Sequence, residues 1–272
     1  MPIAATKPAS NSLRTMNGFW WTDLQTADAA AAAEFYGRVL GWSYEEVPLG
    51  PTPAEVYRTA HIGGAKLAGM GEFQSDMPEA ARQPRWNNYV YVPDVDAVVA
   101  SAARLGATVA MEAIEVLDQG RMAVIVDPAG AALNLWQPRA HTGADEVNQP
   151  STYSWVELVT SDVDGSKRFY GELLGWGWEL QDVAGVDYWM ATLDGRRFAG
   201  LMHKPVEMGD APSMWLTYFG VADLDATLAE MRAAGGRVVT KPMQMGPGLG
   251  AGIVDPQGAY VLVIQMDEWP EV

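Results

Sequence analysis

A chain of 272 residues has room for one large domain or two ordinary ones, and its 49% hydrophobic and 19% charged residues give the balance of a globular protein. The net charge of -16 repels phosphate backbones and anionic lipid, so neither nucleic acid nor membrane is an expected partner. The lack of any cysteine removes disulfides, thiolate metal sites and thiol nucleophiles, and three histidines are too few for a His-rich metal centre.

Residues 1–16, "MPIAATKPASNSLRTM", contain no apolar targeting core and read as a flexible leader. No later run approaches the roughly 18 apolar residues of a spanning helix, so a cytoplasmic monomer or homodimer is expected. In "TADAAAAAEFYGRVLGW" Asp28 is placed as a helix N-cap, Phe35, Tyr36, Val39 and Leu40 share one face, and Gly41 supplies the stop. In "VPDVDAVVASAARLGATV" Asp94 takes the cap, Val95, Val98, Val99 and Ala102 the apolar face, and Gly106 the stop. After each helix come short alternating segments broken by Gly and Pro, which predict strands and turns. The unit is βαβββ, and it occurs twice before residue 138.

From Trp155 the wording returns. "WTDLQTADAAAAAEFYGRVLGW" becomes "WVELVTSDVDGSKRFYGELLGW" at a shift of 134, "AGM" at Ala68 becomes "AGL" at a shift of 131, "WNNYVYVPDVDA" becomes "WLTYFGVADLDA" at 129, and "VDPAGAAL" becomes "VDPQGAYV" at 128. A shrinking offset is what loop-length differences between duplicated domains leave. The chain therefore divides into a leader (1–16), a first domain (17–138), a linker (139–151) and a second domain (152–272), with further helices expected to start near Asp162 and Asp223. The fold class is α+β: two such units side by side make a curved, mostly antiparallel sheet with helices outside and a concave face that suits a small molecule. The stretch "MGPGLGAG" near the end has no following lysine or helix, so it is a turn and not a phosphate loop. No Ser-His-Asp arrangement is suggested.

The signature "D…FY…LGW", then "VPDVDA" and "DPAGAALNLW", resembles the glyoxalase/bleomycin-resistance/extradiol dioxygenase (vicinal oxygen chelate) superfamily, and most closely tandem glyoxalase-like proteins of the actinobacterial type. The resemblance implies a divalent metal held at the base of each concave face by His, Glu or Gln from first and last strands, with open positions for two substrate oxygens. Carried onto this chain, those columns hold Trp21, Asn87 and Asn134 in the first domain and Trp155, Leu216 and Leu262 in the second. Indole has no lone pair to offer a cation, so the tryptophans supply a flat apolar wall and one N–H donor. Glu72 and His203, just beyond the "LAGM" and "FAGL" columns, are the fallback ligands, and with Asp23 and Glu157 they are the donors open to a metal-dependent reading.

Strand alternation then places Asp23 and Gln25 beside Trp21, Asn87 beside Tyr89 and Tyr91, and Asn134 beside Trp136, a polar and aromatic lining with Arg121 expected at its rim to meet a substrate carboxylate or phosphate. The second lining, Trp155, Glu157, Val159, Leu216, Tyr218, Gly220, Tyr260, Leu262 and Ile264, is mostly apolar around one acid. Asp23 and Glu157 are the candidate acid–base residues, since burial raises a carboxyl's pKa. Three readings stay open: a metal-independent protein that binds or transforms a small organic molecule without a cofactor, a divalent-metal lyase, isomerase or dioxygenase, and a non-catalytic structural or interaction protein. The first is favoured, with its ligand in the first domain, whose many polar groups find partners in ligand, water or neighbouring strands.

Overall fold

The computed structural model describes residues 16–49, 56–75, 77–183, 185–246 and 248–269, so all but the last residue of the expected leader lies outside the described residues. The first half runs β1 (Phe19–Thr26), α1 (Ala29–Leu40), β2 (Ser43–Pro48), β3 (Val56–Ile62), β4 (Ala65–Glu72), β5 (Arg85–Tyr91), α2 (Val95–Arg104), β6 (Thr108–Val116), β7 (Gly120–Val126) and β8 (Ala132–Pro138). The second runs β9 (Tyr153–Thr160), α3 (Val163–Leu174), β10 (Gly177–Val183), β11 (Val186–Leu193), β12 (Arg196–His203), β13 (Met214–Gly220), α4 (Leu224–Ala233), β14 (Arg237–Val238), β15 (Met243–Met245), β16 (Gly248–Val254) and β17 (Tyr260–Met266). Among the described residues no helix is long and apolar enough to cross a membrane.

All four helices start where the aspartates predict. Asp28, Asp94, Asp162 and Asp223 sit at N-cap, and each carboxylate accepts the N–H three residues on, at 2.9–3.0 Å. Gly41 and Gly175 close α1 and α3 in the left-handed conformation that a side chain resists.

The strands form two mixed sheets, ordered β2-β3-β4-β1-β5-β8-β7-β6 and β10-β11-β12-β9-β13-β17-β16-β14, with β15 pairing β16. Units therefore pair within each half, through the antiparallel joints β1–β5 and β9–β13. The parallel pairs β1–β4 and β5–β8, with their counterparts β9–β12 and β13–β17, are the exceptions to antiparallel order. "MGPGLGAG" is corrected here: Gly248–Val254 is strand β16, because side chains from neighbouring strands lie flat over its glycines, and of the described residues only Gly246 turns with positive φ.

The helices lie on one face of each sheet, and these two faces meet: α1 packs on α4, α2 on α3, and β5 on β13. One continuous apolar core fills the contact and runs through both halves. The repeat motifs interlock across it. The Tyr36 hydroxyl of the first "FYG" donates to Asp255 of the second "DPxG" at 3.1 Å, and the Tyr170 hydroxyl donates to Asp127 at 2.8 Å. The "LGW" indoles cross as well, Trp42 to the Ser151 carbonyl and Trp176 to the Asn17 carbonyl. Each aspartate also ties its own turn by accepting backbone N–H groups. Two smaller apolar clusters sit on the outward, helix-free faces, one per sheet.

Candidate functional site

β1 presents Trp21, Asp23 and Gln25 to the helix-free face of the first sheet, while Leu24 points into the shared core. The β1–β5 register sets Asp23 opposite Asn87 and Trp21 opposite Tyr89, and the β5–β8 register sets Tyr89 beside Asn134 and Tyr91 beside Trp136. These residues thus share the face that alternation assigns them.

Asp23 is its centre. Its Oδ1 accepts from the Asn87 amide at 3.0 Å, and its Oδ2 accepts from the hydroxyls of Tyr89 at 2.9 Å and Tyr57 at 3.1 Å. Trp21 donates its indole N–H to the Tyr57 hydroxyl at 3.0 Å. The Arg85 guanidinium donates to Asn87 Oδ1 and to Gln25 Oε1, so cation, amide and acid form one chain. Burial pushes the Asp23 carboxyl above its ordinary value, opposed by its three donors and by Arg85, while burial and the Asp23 charge push both phenols well up.

The second sheet repeats part of this arrangement. Glu157 lies between Gly200 and Leu216 in register, and Trp155 lies opposite Tyr218. The hydroxyls of Tyr188 and Tyr218 donate to Glu157, and the Trp155 indole donates to Tyr188 at 2.9 Å. Burial raises the Glu157 carboxyl, with only these two phenols pulling it back.

Tyr57 and Tyr188, central to both networks, were missed from the sequence. They sit two strands from the acid they bind, yet the shift of 131 that aligns "AGM" with "AGL" also aligns these two tyrosines. Each phenol lies flat over a glycine: a Cβ on Gly69 would stand 1.7 Å from the Tyr57 hydroxyl, and one on Gly200 would stand 1.8 Å from that of Tyr188. The glycine of each "AG" pair is the opening through which the tyrosine reaches the acid.

One expectation about the site needs correction. Arg121 does not stand at the rim of the helix-free face. In β7 it shares its side with Ala123 and Ile125 of the core, and it pairs with Asp96 of α2 and Glu115 of β6. The fallback ligands Glu72 and His203 occupy equivalent exposed ends of β4 and β12, one in each sheet. Polar groups of the first face find partners in neighbouring strands and loops, which the sequence reading allows. Besides those around Asp23, Asn134 Nδ2 donates to the Asn88 carbonyl at 3.4 Å and the Trp136 indole to the His141 carbonyl at 3.1 Å. His141 belongs to the segment after β8, which folds back as a strap. Its ring packs edge-on to Trp21 at 4.4 Å, and Ala144 donates its backbone N–H to the Trp20 carbonyl. Two of the more pronounced hollows of the surface lie elsewhere, one beside Trp42 and Tyr44, the other beside Glu72 and Arg82.

Residues 152–263 match the family described as glyoxalase/bleomycin resistance protein/dioxygenase superfamily, and residues 21–136 match a glyoxalase-like domain. "Putative glyoxylase CFP32" of Mycobacterium tuberculosis (strain CDC 1551 / Oshkosh) is 39% identical over 248 residues, covering 90% of this chain and 93% of that protein. The chain belongs to the glyoxalase/bleomycin resistance protein/dioxygenase superfamily. Another relative in sequence, "Anthracycline biosynthesis protein DnrV" of Streptomyces peucetius, is 31% identical, covering 91% of this chain and 93% of that protein. Among solved structures, the Mn(II)-bound glyoxalase from Novosphingobium aromaticivorans shares the fold at a TM-score of 0.63 and 15% identity, over 94% of this chain and 84% of that one. The dioxygenase LapB from Pseudomonas sp. KL28 shares it at 0.60 and 15% identity, over 94% and 96%.

A divalent ion such as the superfamily's Mn(II) needs several oxygen or nitrogen donors converging on one point. At the columns of this chain the first face offers an indole and two amides, and the oxygens of Asp23 already accept three hydrogen bonds. The second face offers an indole and two leucines around Glu157. Among the described residues no three His, Cys, Asp or Glu side chains group to hold an ion. The donor set does not fit a divalent metal.

Proposed function

We propose that this protein, divided into domains 17–138 and 152–272 about a linker at 139–151, binds a small organic molecule on a helix-free sheet face without chelating it through a metal ion. The observation that carries this reading is the donor set: the resemblance maps the superfamily's metal columns onto Trp21, Asn87 and Asn134, then Trp155, Leu216 and Leu262, and none of the six is a His, Glu or Gln. Each face nevertheless keeps one buried carboxyl bonded to two phenols. Ligand contacts fall to Trp21, Gln25, Asn87, Tyr89, Tyr91, Asn134 and Trp136 on the first face and to Trp155 and Tyr218 on the second. Any chemistry is acid–base, with Asp23 or Glu157 moving the proton, because burial raises each carboxyl above its ordinary value and so favours the form that can donate. The relatives named a glyoxylase and an anthracycline biosynthesis protein support a small organic substrate.

The test is metal analysis of protein purified without chelator, joined to a thermal-shift screen of small carbonyl compounds with and without EDTA. A ligand present at a hundred times its Kd stabilises by about 2.7 kcal/mol, and that shift is expected to be unchanged by EDTA. About one equivalent of Mn, Fe, Ni or Zn per chain, lost together with binding, would establish the metal-dependent lyase, isomerase or dioxygenase reading instead.

A further inference from the structure

The two faces differ in a directed way. In the repeat register Met214 replaces Arg85, Leu216 replaces Asn87, Val159 replaces Gln25, Leu262 replaces Asn134 and Ile264 replaces Trp136. Everything that neutralises or solvates Asp23, apart from its two phenols, has become apolar around Glu157. The acid itself remains, 7% exposed. A buried ionised carboxyl without a cation costs several kcal/mol, so keeping Glu157 in this setting keeps a carboxyl that holds its proton. The phenols of Tyr188 and Tyr218, and more distantly Tyr260, are the groups bearing on its charge.

The surroundings are also chemically distinctive. The thioethers of Met202, Met208, Met214, Met245 and Met266 come from β12, the turn after it, β13, β15 and β17, and pack, partly exposed, around Leu216, Leu262 and Ile264. In the first half four of these five register positions hold Gly71, Arg85, Leu117 and Pro138. Unbranched methionine repacks around a guest at low cost, unlike the locked indoles and phenols of the first face. The Trp155 and Tyr260 rings flank the cluster. Gly220, at the position of Tyr91, leaves room for the Trp269 indole, whose ring would lie 2.4 Å from a Cβ there.

We propose that the helix-free face of the second sheet is the working ligand site, and that its ligand is a flat, uncharged, largely apolar molecule with a carbonyl oxygen that accepts a hydrogen bond from the Glu157 carboxyl group. This rests on the metal-independent reading above and narrows it to one face and one ligand class. The methionines and flanking rings take the apolar body. Glu157, beside the phenols of Tyr188 and Tyr218, presents a buried donor to a carbonyl. An anionic ligand would lack the cation that Arg85 supplies on the first face, since Met214 stands in its place.

Titration calorimetry of the full chain at pH 7, with and without EDTA, tests this with three matched probes: neutral hydroxymethylanthraquinone, anionic anthraquinone sulfonate and cationic aminomethylanthraquinone. The lack of cysteine keeps quinone probes from reacting with thiols. The neutral probe is expected to bind at least tenfold more tightly than either charged one. Glu157→Leu should weaken it about tenfold, and Glu157→Gln should retain it because the amide still donates. In methyl-labelled methionine spectra the perturbed signals should be those of Met202, Met208, Met214, Met245 and Met266. Preferential binding of a charged probe, no binding of any probe, or perturbation of the Met122 signal on the first face in place of these five overturns the inference while leaving metal-free binding standing. Binding abolished by EDTA and restored by a divalent ion sinks the metal-independent reading instead. Thermal unfolding of Glu157→Gln guards against a variant that merely fails to fold.

Discussion

Replacing Gly200 by alanine tests the network around Glu157 without touching any of its polar groups. The new methyl would stand 1.8 Å from the Tyr188 hydroxyl and 2.4 Å from its Cζ, against about 3.4 Å for ordinary contact. β12 cannot retreat, since it pairs with β11 on one side and β9 on the other. The tyrosine must therefore move by about 1.6 Å, the shortfall in van der Waals contact. That lifts its hydroxyl out of reach of the Trp155 indole, now at 2.9 Å, and of the Glu157 carboxyl. One neutral hydrogen bond and one to an acid are lost beside an overpacked strand, together about 2–4 kcal/mol. At about 2–4 °C per kcal/mol for chains of this size, calorimetry should record a fall in Tm of roughly 4–16 °C. In a Tyr188→Ala background the methyl meets empty space, and Gly200→Ala should cost less than about 0.5 kcal/mol. An equal cost in both backgrounds, or no cost in the wild type, would refute the account of the glycine as an opening for the phenol.

Two further outcomes follow from the same geometry. The folded state raises the Glu157 pKa above its ordinary value of 4.5, so between that value and the raised one the native protein holds more protons than the unfolded chain, and stability falls as pH rises through this window. Glu157→Gln should flatten that slope in urea unfolding measured from pH 4 upward, and a slope unchanged by the variant would show that Glu157 is not its source. Tyr36→Phe leaves a buried oxygen of Asp255 and the Trp86 indole without their partner, and chemical denaturation should show a loss of about 1–3 kcal/mol. A loss near zero would mean that the contact between the halves does not depend on this pair.

Much of the architecture was legible because its signals are local. An aspartate followed by an apolar helical face needs only the residues beside it, so all four helix starts were predicted, and the repeated wording carried the duplication with it. The faces were harder. Alternation placed Trp21, Asp23, Asn87 and Tyr89 correctly because β1 and β5 are long and regular. For Arg121, beside a hairpin turn, nothing in the sequence fixed the phase, and one residue of phase reverses the face. Tyr57 and Tyr188 escaped because their rings cross an intervening strand at a glycine, a path that the period of two does not encode. The strap escaped for a similar reason: His141 lies outside any periodic segment, and only the fold brings it over Trp21.

The crossed tyrosine–aspartate contacts make the buried surface of either half complementary to itself, as in a two-fold dimer. Such a surface closes with a single partner, and fusing the two copies turns a concentration-dependent association into an event within one molecule. Fusion also removes a constraint. In a homodimer any change on one outward face appears on both, whereas here each copy varies alone. Arg85 facing Met214 across the pseudo-symmetry, and Asn87 facing Leu216, record that freedom: one scaffold now carries two surfaces of opposite polarity, built on the same joint.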